Sequence, residues 1–195
     1  MNDMMTFVFS EAAQAKCVEI ISRYPEGRQQ SAVIPLLDLA QRECGGWLPT
    51  VALEHVAERL GMAKIRVLEV ASFYSMFNLE PVGKNLVQLC RTTPCWLRGS
   101  DDLRAVAAEV TGCGLCETSD DDQFTVVEVE CLGACCNAPV VQINDDYYED
   151  LTAESFRAVL EALKRGETPS AGSQAGRKGS EPVGGLTSLT SAGDD

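Results

Sequence analysis

The sequence predicts an α+β protein: an N-terminal helical bundle, then an α/β domain, then a disordered C-terminal tail. Three observations carry this. Apolar residues recur at helical spacing through the first 80 positions. From Leu86 onward, short apolar or alternating segments take turns with helical ones. After Gly166 the composition shifts, and of the last 30 residues 20 are Gly, Ala, Ser, Thr or Pro. The expected boundaries are 1–80, 81–165 and 166–195.

Residues 10–24 read as an amphipathic helix capped by Ser10, with Glu11 at its positive end and Ala13, Cys17, Ile20, Ile21 and Tyr24 on one face. Pro25 and Gly27 end it. A second helix spans Ser31 to Cys44. Pro35 fits its first turn, where a missing N–H costs little. Val33, Leu36, Leu37, Ala40 and Cys44 form its stripe, and Gly45-Gly46 stop it. A third helix starts at a Thr50 cap and ends before Gly61, with Leu53, Val56, Ala57 and Leu60 inward. A fourth runs from Lys64 to Phe77, with Ile65, Leu68, Phe73 and Phe77 as packing residues. Short loops join the four into an all-α unit. His55 is the single histidine, and without a partner in view it reads as a surface or capping residue rather than a catalyst.

After the turn at Asn78–Gly83 the pattern alternates. Leu86–Leu89 is a strand leading into Cys90. Asp101–Val110 is a helix with Leu103, Val106, Ala107 and Val110 on one face. Phe124–Val129 is a strand leading into Cys131. Pro139–Ile143 is another strand, with Pro tolerated at its first position. Asn144–Asp146 turns the chain into a short strand at Tyr147-Tyr148, and Thr152 caps a last helix to Arg165. The tail holds only Val183, Leu186 and Leu189 as large apolar residues. Such a segment buries too little surface to offset the entropy of ordering it. Leu186-Thr187-Ser188-Leu189 is its one candidate docking stretch, with solvated disorder as the simpler reading.

Composition excludes several functions. The 195 residues have 45% hydrophobic content, and 29 acidic against 16 basic residues give a net charge of −13. A nucleic-acid partner calls for a basic surface, which is missing. The start, Met1 to Thr6, has neither the positive region nor the apolar stretch of a secretory signal. No run reaches the ~18 apolar residues of a membrane span. A cytosolic chain with nine cysteines points to metal ligands or free thiols rather than a disulfide framework. No Walker-type or G-x-G-x-x-G loop appears, so a nucleotide site on this chain is not expected.

The chemistry concentrates in two loops. Cys90-Arg91-Thr92-Thr93-Pro94-Cys95 and Cys131-Leu132-Gly133-Ala134-Cys135 are separated by 35 residues, and each follows an expected strand. Strands leaving the same end of a sheet bring such loops together. Thiolates are soft ligands suited to iron–sulfur clusters and to zinc. The backbone N–H groups of Thr92, Thr93, Gly133 and Ala134 are candidates to hydrogen-bond cluster sulfurs. Spacing alone leaves zinc and unliganded thiols open, because C-x4-C with C-x3-C is neither a plant-type nor a bacterial ferredoxin pattern. It also leaves open whether Cys135 or Cys136 is the last ligand, since Cys131 to Cys136 repeats the C-x4-C spacing. Cys113-Gly114-Leu115-Cys116 is a further C-x-x-C with no second pair left for it, and reads as ordinary reduced thiols.

Arg66-Val67-Leu68-Glu69-Val70-Ala71-Ser72-Phe73-Tyr74-Ser75-Met76-Phe77, Cys90-x4-Cys95 and Glu130-Cys131-Leu132-Gly133-Ala134-Cys135-Cys136-Asn137-Ala138-Pro139 together resemble the thioredoxin-like two-iron ferredoxin subunits of respiratory NADH:quinone oxidoreductase, complex I. The resemblance covers roughly residues 10–165. It implies a helical bundle followed by a thioredoxin-like domain, and one [2Fe-2S] cluster held by Cys90, Cys95, Cys131 and Cys135, in preference to Cys136. It further implies a flavin-bearing NADH-oxidising partner subunit that carries FMN and NAD. Single electrons would pass between that flavin and the cluster, off the main route to quinone. Other peripheral-arm subunits would be neighbours, on the cytoplasmic side of the bacterial inner membrane. Arg91, Cys136 and the C-x-x-C depart from the family pattern without removing a ligand, and Arg91 is expected to raise the cluster potential. The rival readings are the equivalent subunit of a soluble NAD-linked formate dehydrogenase or hydrogenase, a free-standing ferredoxin, and a zinc-stabilised interaction module.

Overall fold

The computed structural model describes residues 6–182, 184–185 and 187–188. The chain divides into two compact units, Met1–Val82 and Gly83–Asp195.

In the first unit, α1 spans Glu11–Ser22. The Ser10 hydroxyl accepts the Ala13 N–H at 3.2 Å and donates to Glu43 at 2.7 Å. One side chain thus caps α1 and ties it to the next helix. A 3-10 turn at Gln29–Ala32 precedes α2, Val33–Glu43, so Pro35 does lie in the first α-helical turn. In α3, Thr50–Leu60, Thr50 is the first helical residue; Pro49 occupies the cap position without a side-chain cap bond. Gly61 ends α3 in the left-handed conformation, at φ 60°. The expected inward residues Cys17, Leu36, Leu37, Ala40, Leu53, Val56, Ala57 and Leu60 are all buried in one core. His55 meets the rings of Phe7 and Phe9 edge-on, with centroids 5.5 and 5.3 Å away, so its role is packing.

The fourth helix corrects the sequence reading. α4 is Lys64–Phe73, and the chain turns extended at Tyr74. Its buried residues are Val67 and Ala71, whereas Ile65, Leu68 and Phe73 are exposed, Phe73 at 80%. Of the four expected packing residues only Phe77 is buried. The helix is apolar on two faces, and the smaller side chains at spacing i, i+4 take the inner one.

The second unit is a six-stranded mixed sheet, among the described residues, in the order β2-β3-β1-β4-β5-β6. The strands are β1 Asn85–Cys90, β2 Glu117–Thr118, β3 Phe124–Val129, β4 Val141–Ile143, β5 Asp146–Glu149 and β6 Gly172–Ser173. Helices α5, Thr93–Leu97, and α6, Ser100–Thr111, follow β1, and α7 spans Ala153–Lys164. β1 and β3 are parallel and pair Cys90 with Val129; β4 runs antiparallel to β1. Val87, Leu89, Phe124, Val126, Val141 and Ile143 share a core with Leu103, Val106 and Ala107 of α6 and Phe156, Val159 and Leu160 of α7. Thr152 caps α7 in a reciprocal box with Ser155. Gly83 leads into β1 so close to β3 that a Cβ there would lie 2.7 Å from the Phe124 carbonyl carbon. Its N–H donates to the Thr125 hydroxyl at 2.6 Å.

The chain after Gly166 differs from what its composition predicts. β6 pairs with β5 in parallel, Tyr148 with Gly172 and Glu149 with Ser173, and the Tyr148 hydroxyl donates to the Pro169 carbonyl at 3.3 Å. Composition measures how much apolar surface a segment can bury, and this stretch is held by polar contacts instead. The proposed docking stretch at Leu186 and Leu189, with Val183, lies outside the described residues.

Candidate metal centre

Parallel pairing of β1 and β3 sends both cysteine loops off the same end of the sheet. Cys90 is the last residue of β1, in register with Val129, which lies two residues before Cys131. Cys95 sits in α5, a helix the sequence reading did not foresee. Pro94 falls in its first turn, where no N–H is needed. Cys90 and Cys95 are buried, packed with Ala138 and Val140 and flanked by Leu132, Ala134 and Tyr147. Cys131 and Cys135 are exposed.

The second loop folds back on itself. The Cys131 and Cys135 sulfurs are 3.3 Å apart, and the Gly133 N–H points at the Cys131 sulfur from 3.4 Å. Gly133 holds φ 83°, a conformation that favours glycine. The Tyr147 hydroxyl donates to the Leu132 carbonyl at 2.7 Å, anchoring the loop to β5. A 3-10 turn at Cys135–Asn137 completes it. The Ala138-Pro139 peptide that follows is cis.

Hydrogen bonds knit the two loops. Burial pushes the Cys90 thiol up, but the Thr92 hydroxyl and the Leu132 and Thr92 amides together hold it below the ordinary thiol range. The Thr92 hydroxyl lies 3.4 Å from the Cys90 sulfur. The Gly133 amide, with Cys135 and the Thr92 hydroxyl, lowers Cys131. Cys95 is raised, by burial first and then by its hydrogen bond to Cys90, although the Val140 amide opposes this. Cys135 is raised, chiefly through its bond to Cys131. Each loop therefore holds one thiol drawn below the ordinary thiol range and one pushed above it. Cys90 takes an amide from the other loop, and Cys95, Cys131 and Cys135 each sense a thiol across the gap.

Of the expected donors to cluster sulfurs, Thr92 and Gly133 already lie at cysteine sulfurs. The Leu132 and Val140 amides were missed. Leu132 is inside the quoted motif and was open to inference; Val140 arrives through the fold of β4 and left no local signal. Cys136 is exposed, one residue past the pair. Cys113 is buried, 3.2 Å from the Thr111 hydroxyl, and Cys116 is exposed at φ 60°.

Among the described residues no three His, Cys, Asp or Glu side chains close round a point that would hold one metal ion. The arrangement is instead two thiol pairs linked across their loops. A [2Fe-2S] cluster would draw on such a donor set, four thiolates with backbone N–H groups facing the sulfurs. The residues present fit a two-iron cluster.

Arg91, beside Cys90, does not stand as a free charge. Its guanidinium pairs with Glu128 at 3.2 Å, and Arg104 reaches the same carboxylate at 3.5 Å.

Comparison with known proteins points to the same kind of cofactor. The family model described as thioredoxin-like [2Fe-2S] ferredoxin matches residues 17–164. A subunit of the NADH-quinone oxidoreductase of Rickettsia bellii is 54% identical over 165 residues, 84% of this chain and 99% of that protein. The mitochondrial NADH dehydrogenase [ubiquinone] flavoprotein 2 of Dictyostelium discoideum is 46% identical over 188 residues, 96% of this chain and 76% of that protein. In structure, an NAD+-reducing [NiFe]-hydrogenase chain in its air-oxidised state superposes over 67% of this chain and 23% of its own length, with a TM-score of 0.59 and 19% identity. At that identity the likeness is one of fold.

Proposed function

The chain belongs to the thioredoxin-like [2Fe-2S] ferredoxin family, and from that premise we propose that it is the corresponding electron-transfer subunit of an NADH:quinone oxidoreductase. The observation that carries this is the 54% identity to a subunit of that enzyme in Rickettsia bellii, across nearly the whole length of the relative. The fold likeness to a hydrogenase chain at 19% identity does not favour the rival parent complex.

Cys90 and Cys95 would hold one iron and Cys131 and Cys135 the other. The 3.3 Å approach of Cys131 to Cys135 supports this set over one using Cys136. When bound, the cluster supplies reversible one-electron transfer. The protein's part is positional and electrostatic. Buried Cys90 and Cys95 fix one side, while exposed Cys131 and Cys135 lie where a partner's redox group can approach. Amides of Leu132, Gly133, Thr92 and Val140 offset negative charge at sulfur. The partner is a flavin-bearing subunit that carries FMN and takes NADH, with other peripheral-arm subunits beside it, on the cytoplasmic side of the bacterial inner membrane. Among the described residues no helix is long and apolar enough to cross a membrane.

The test is anaerobic purification with iron and sulfide analysis, visible absorption, and electron paramagnetic resonance after dithionite reduction. Two iron and two sulfide per chain with a reduced-state signal are expected. Colourless protein containing zinc overturns the cluster. Co-purification with a molybdenum or nickel enzyme, in place of a flavin-bearing quinone-reductase partner, overturns the parent complex.

A further inference from the structure

The segment after α7 returns to the second cysteine loop and fastens it. β6 adds to the edge of the sheet beside β5, and four residues later Arg177 turns inward. Its side chain and that of Asp150 are 10% and 11% exposed. The guanidinium donates through Nε to Asp150 at 2.9 Å and through Nη2 to the same carboxylate. Nη2 also reaches the Asn137 side-chain oxygen at 2.9 Å and the Cys136 carbonyl at 3.0 Å, and Nη1 reaches the Glu181 carbonyl at 2.7 Å. Asn137 returns the contact, its amide donating to the Gly179 carbonyl at 2.7 Å and to Glu149. Ser173 donates to Asp150 at 2.6 Å. Asn137 is buried and ends the same 3-10 turn that begins with Cys135.

We propose that residues 172–181 are a strap that holds the Cys135–Asn137 turn in its liganding shape, with Arg177 as the positioning residue. Turn geometry at Cys135 depends on where the Cys136 carbonyl and the Asn137 side chain are held. A planar guanidinium in a fixed fork sets both at once, which a flexible ammonium does not. Groups behind a ligand that orient it govern how tightly the metal is kept. This rests on the reading of Cys135 as a ligand.

The experiment compares wild type with Arg177→Ala, Arg177→Lys and Arg165→Ala, all full-length. Arg165, at the C-terminal cap of α7, pairs with Glu167 at 2.8 Å. Cluster loss to excess chelator is followed by visible absorption, and amide hydrogen exchange of residues 131–138 is measured on the iron-free protein. Arg177→Ala is expected to lose its cluster about 10-fold faster. Its turn amides should exchange faster, by more than the drop in its unfolding midpoint from unpairing Asp150 accounts for. Arg177→Lys should fall between the two, and Arg165→Ala should match wild type. Wild-type loss and exchange rates in both Arg177 variants overturn the strap, as does equal acceleration by Arg165→Ala. If Arg177→Ala does not fold, Arg177→Lys decides by the same comparison. If wild type takes up no cluster, the proposed function fails, while hydrogen exchange still reads the strap.

Discussion

Cys90 on β1 and Val129 on β3 are register partners in a parallel pair. A parallel neighbour makes two strands finish at the same end of a sheet, so the loops after Cys90 and after Val129 are brought together by the backbone alone. The side chains then adjust within that frame. A hydroxyl and an amide at Thr92 and an amide at Leu132 span the short remaining gap to sulfur.

The geometry separates two adjacent cysteines. Cys135 lies 3.3 Å from Cys131, while the carbonyl of Cys136 is engaged by Arg177. Cys135→Ser is expected to abolish the reduced-state paramagnetic signal or replace it with an altered, weaker one. Cys136→Ser should keep wild-type iron content and spectrum. Equal loss in both variants would mean that the turn, not the particular thiol, is what matters.

Charge beside the site is set by Glu128 more than by Arg91. Arg91 is exposed and already paired, and exposed pairs are screened by solvent. Glu128 is less exposed and serves two arginines. Glu128→Gln unpairs both cations near Cys90 and should raise the midpoint potential by a few tens of millivolts, on the order of the Coulomb energy of a unit charge at this range. Arg91→Thr should lower it by less. Redox titration followed by paramagnetic resonance checks the sign and the order of the two shifts.

Gly83 tests the approach of the chain to β3. An added Cβ would lie within 3.0 Å of three Phe124 backbone atoms, in a strand whose Phe124 is buried. Backbone cannot yield as a side-chain tip does. Gly83→Ala should therefore cost roughly 1–3 kcal/mol in urea unfolding, as overpacking does.

Acid should release the strap. Burial raises the Asp150 carboxyl, but hydrogen bonds from Arg177 and Ser173 together hold it below the ordinary carboxylate range. A depressed folded-state value means the stabilisation is present above the unfolded value, about 3.9, and is lost as pH falls through the folded one. Proteolysis of residues 166–182 by an acid-active protease should thus accelerate below about pH 4. Asp150→Asn should be cut readily at neutral pH and show little further change on acidification.

The sequence was legible where a local rule matched the global fold. Ser10 and Thr152 cap the helices they were expected to cap, and Phe124–Val129 is the strand its alternation predicts. The meeting of the two cysteine loops followed from strands that precede each loop. The sequence was illegible where the outcome depended on partners far along the chain. Val140 reaches Cys95 only because β4 lies beside β1. Arg177 finds Asp150 across 27 positions, in a segment whose composition alone argues for disorder. Thr93–Leu97 is a five-residue helix, too short to show a period.

The inner face of α4 is the remaining point on which periodicity and packing disagree, and it has a direct measurement. Val67 is fully buried and Ala71 nearly so, while Phe73 is 80% exposed. Val67→Ala removes two buried methyl groups and should cost about 2 kcal/mol. Phe73→Ala takes away a far larger side chain, yet should change stability by no more than about 0.5 kcal/mol, as solvent-facing substitutions do. Thermal or urea unfolding of the two variants side by side decides between the faces. A large loss for Phe73→Ala with a small one for Val67→Ala would return the helix to the orientation its aromatic spacing suggests.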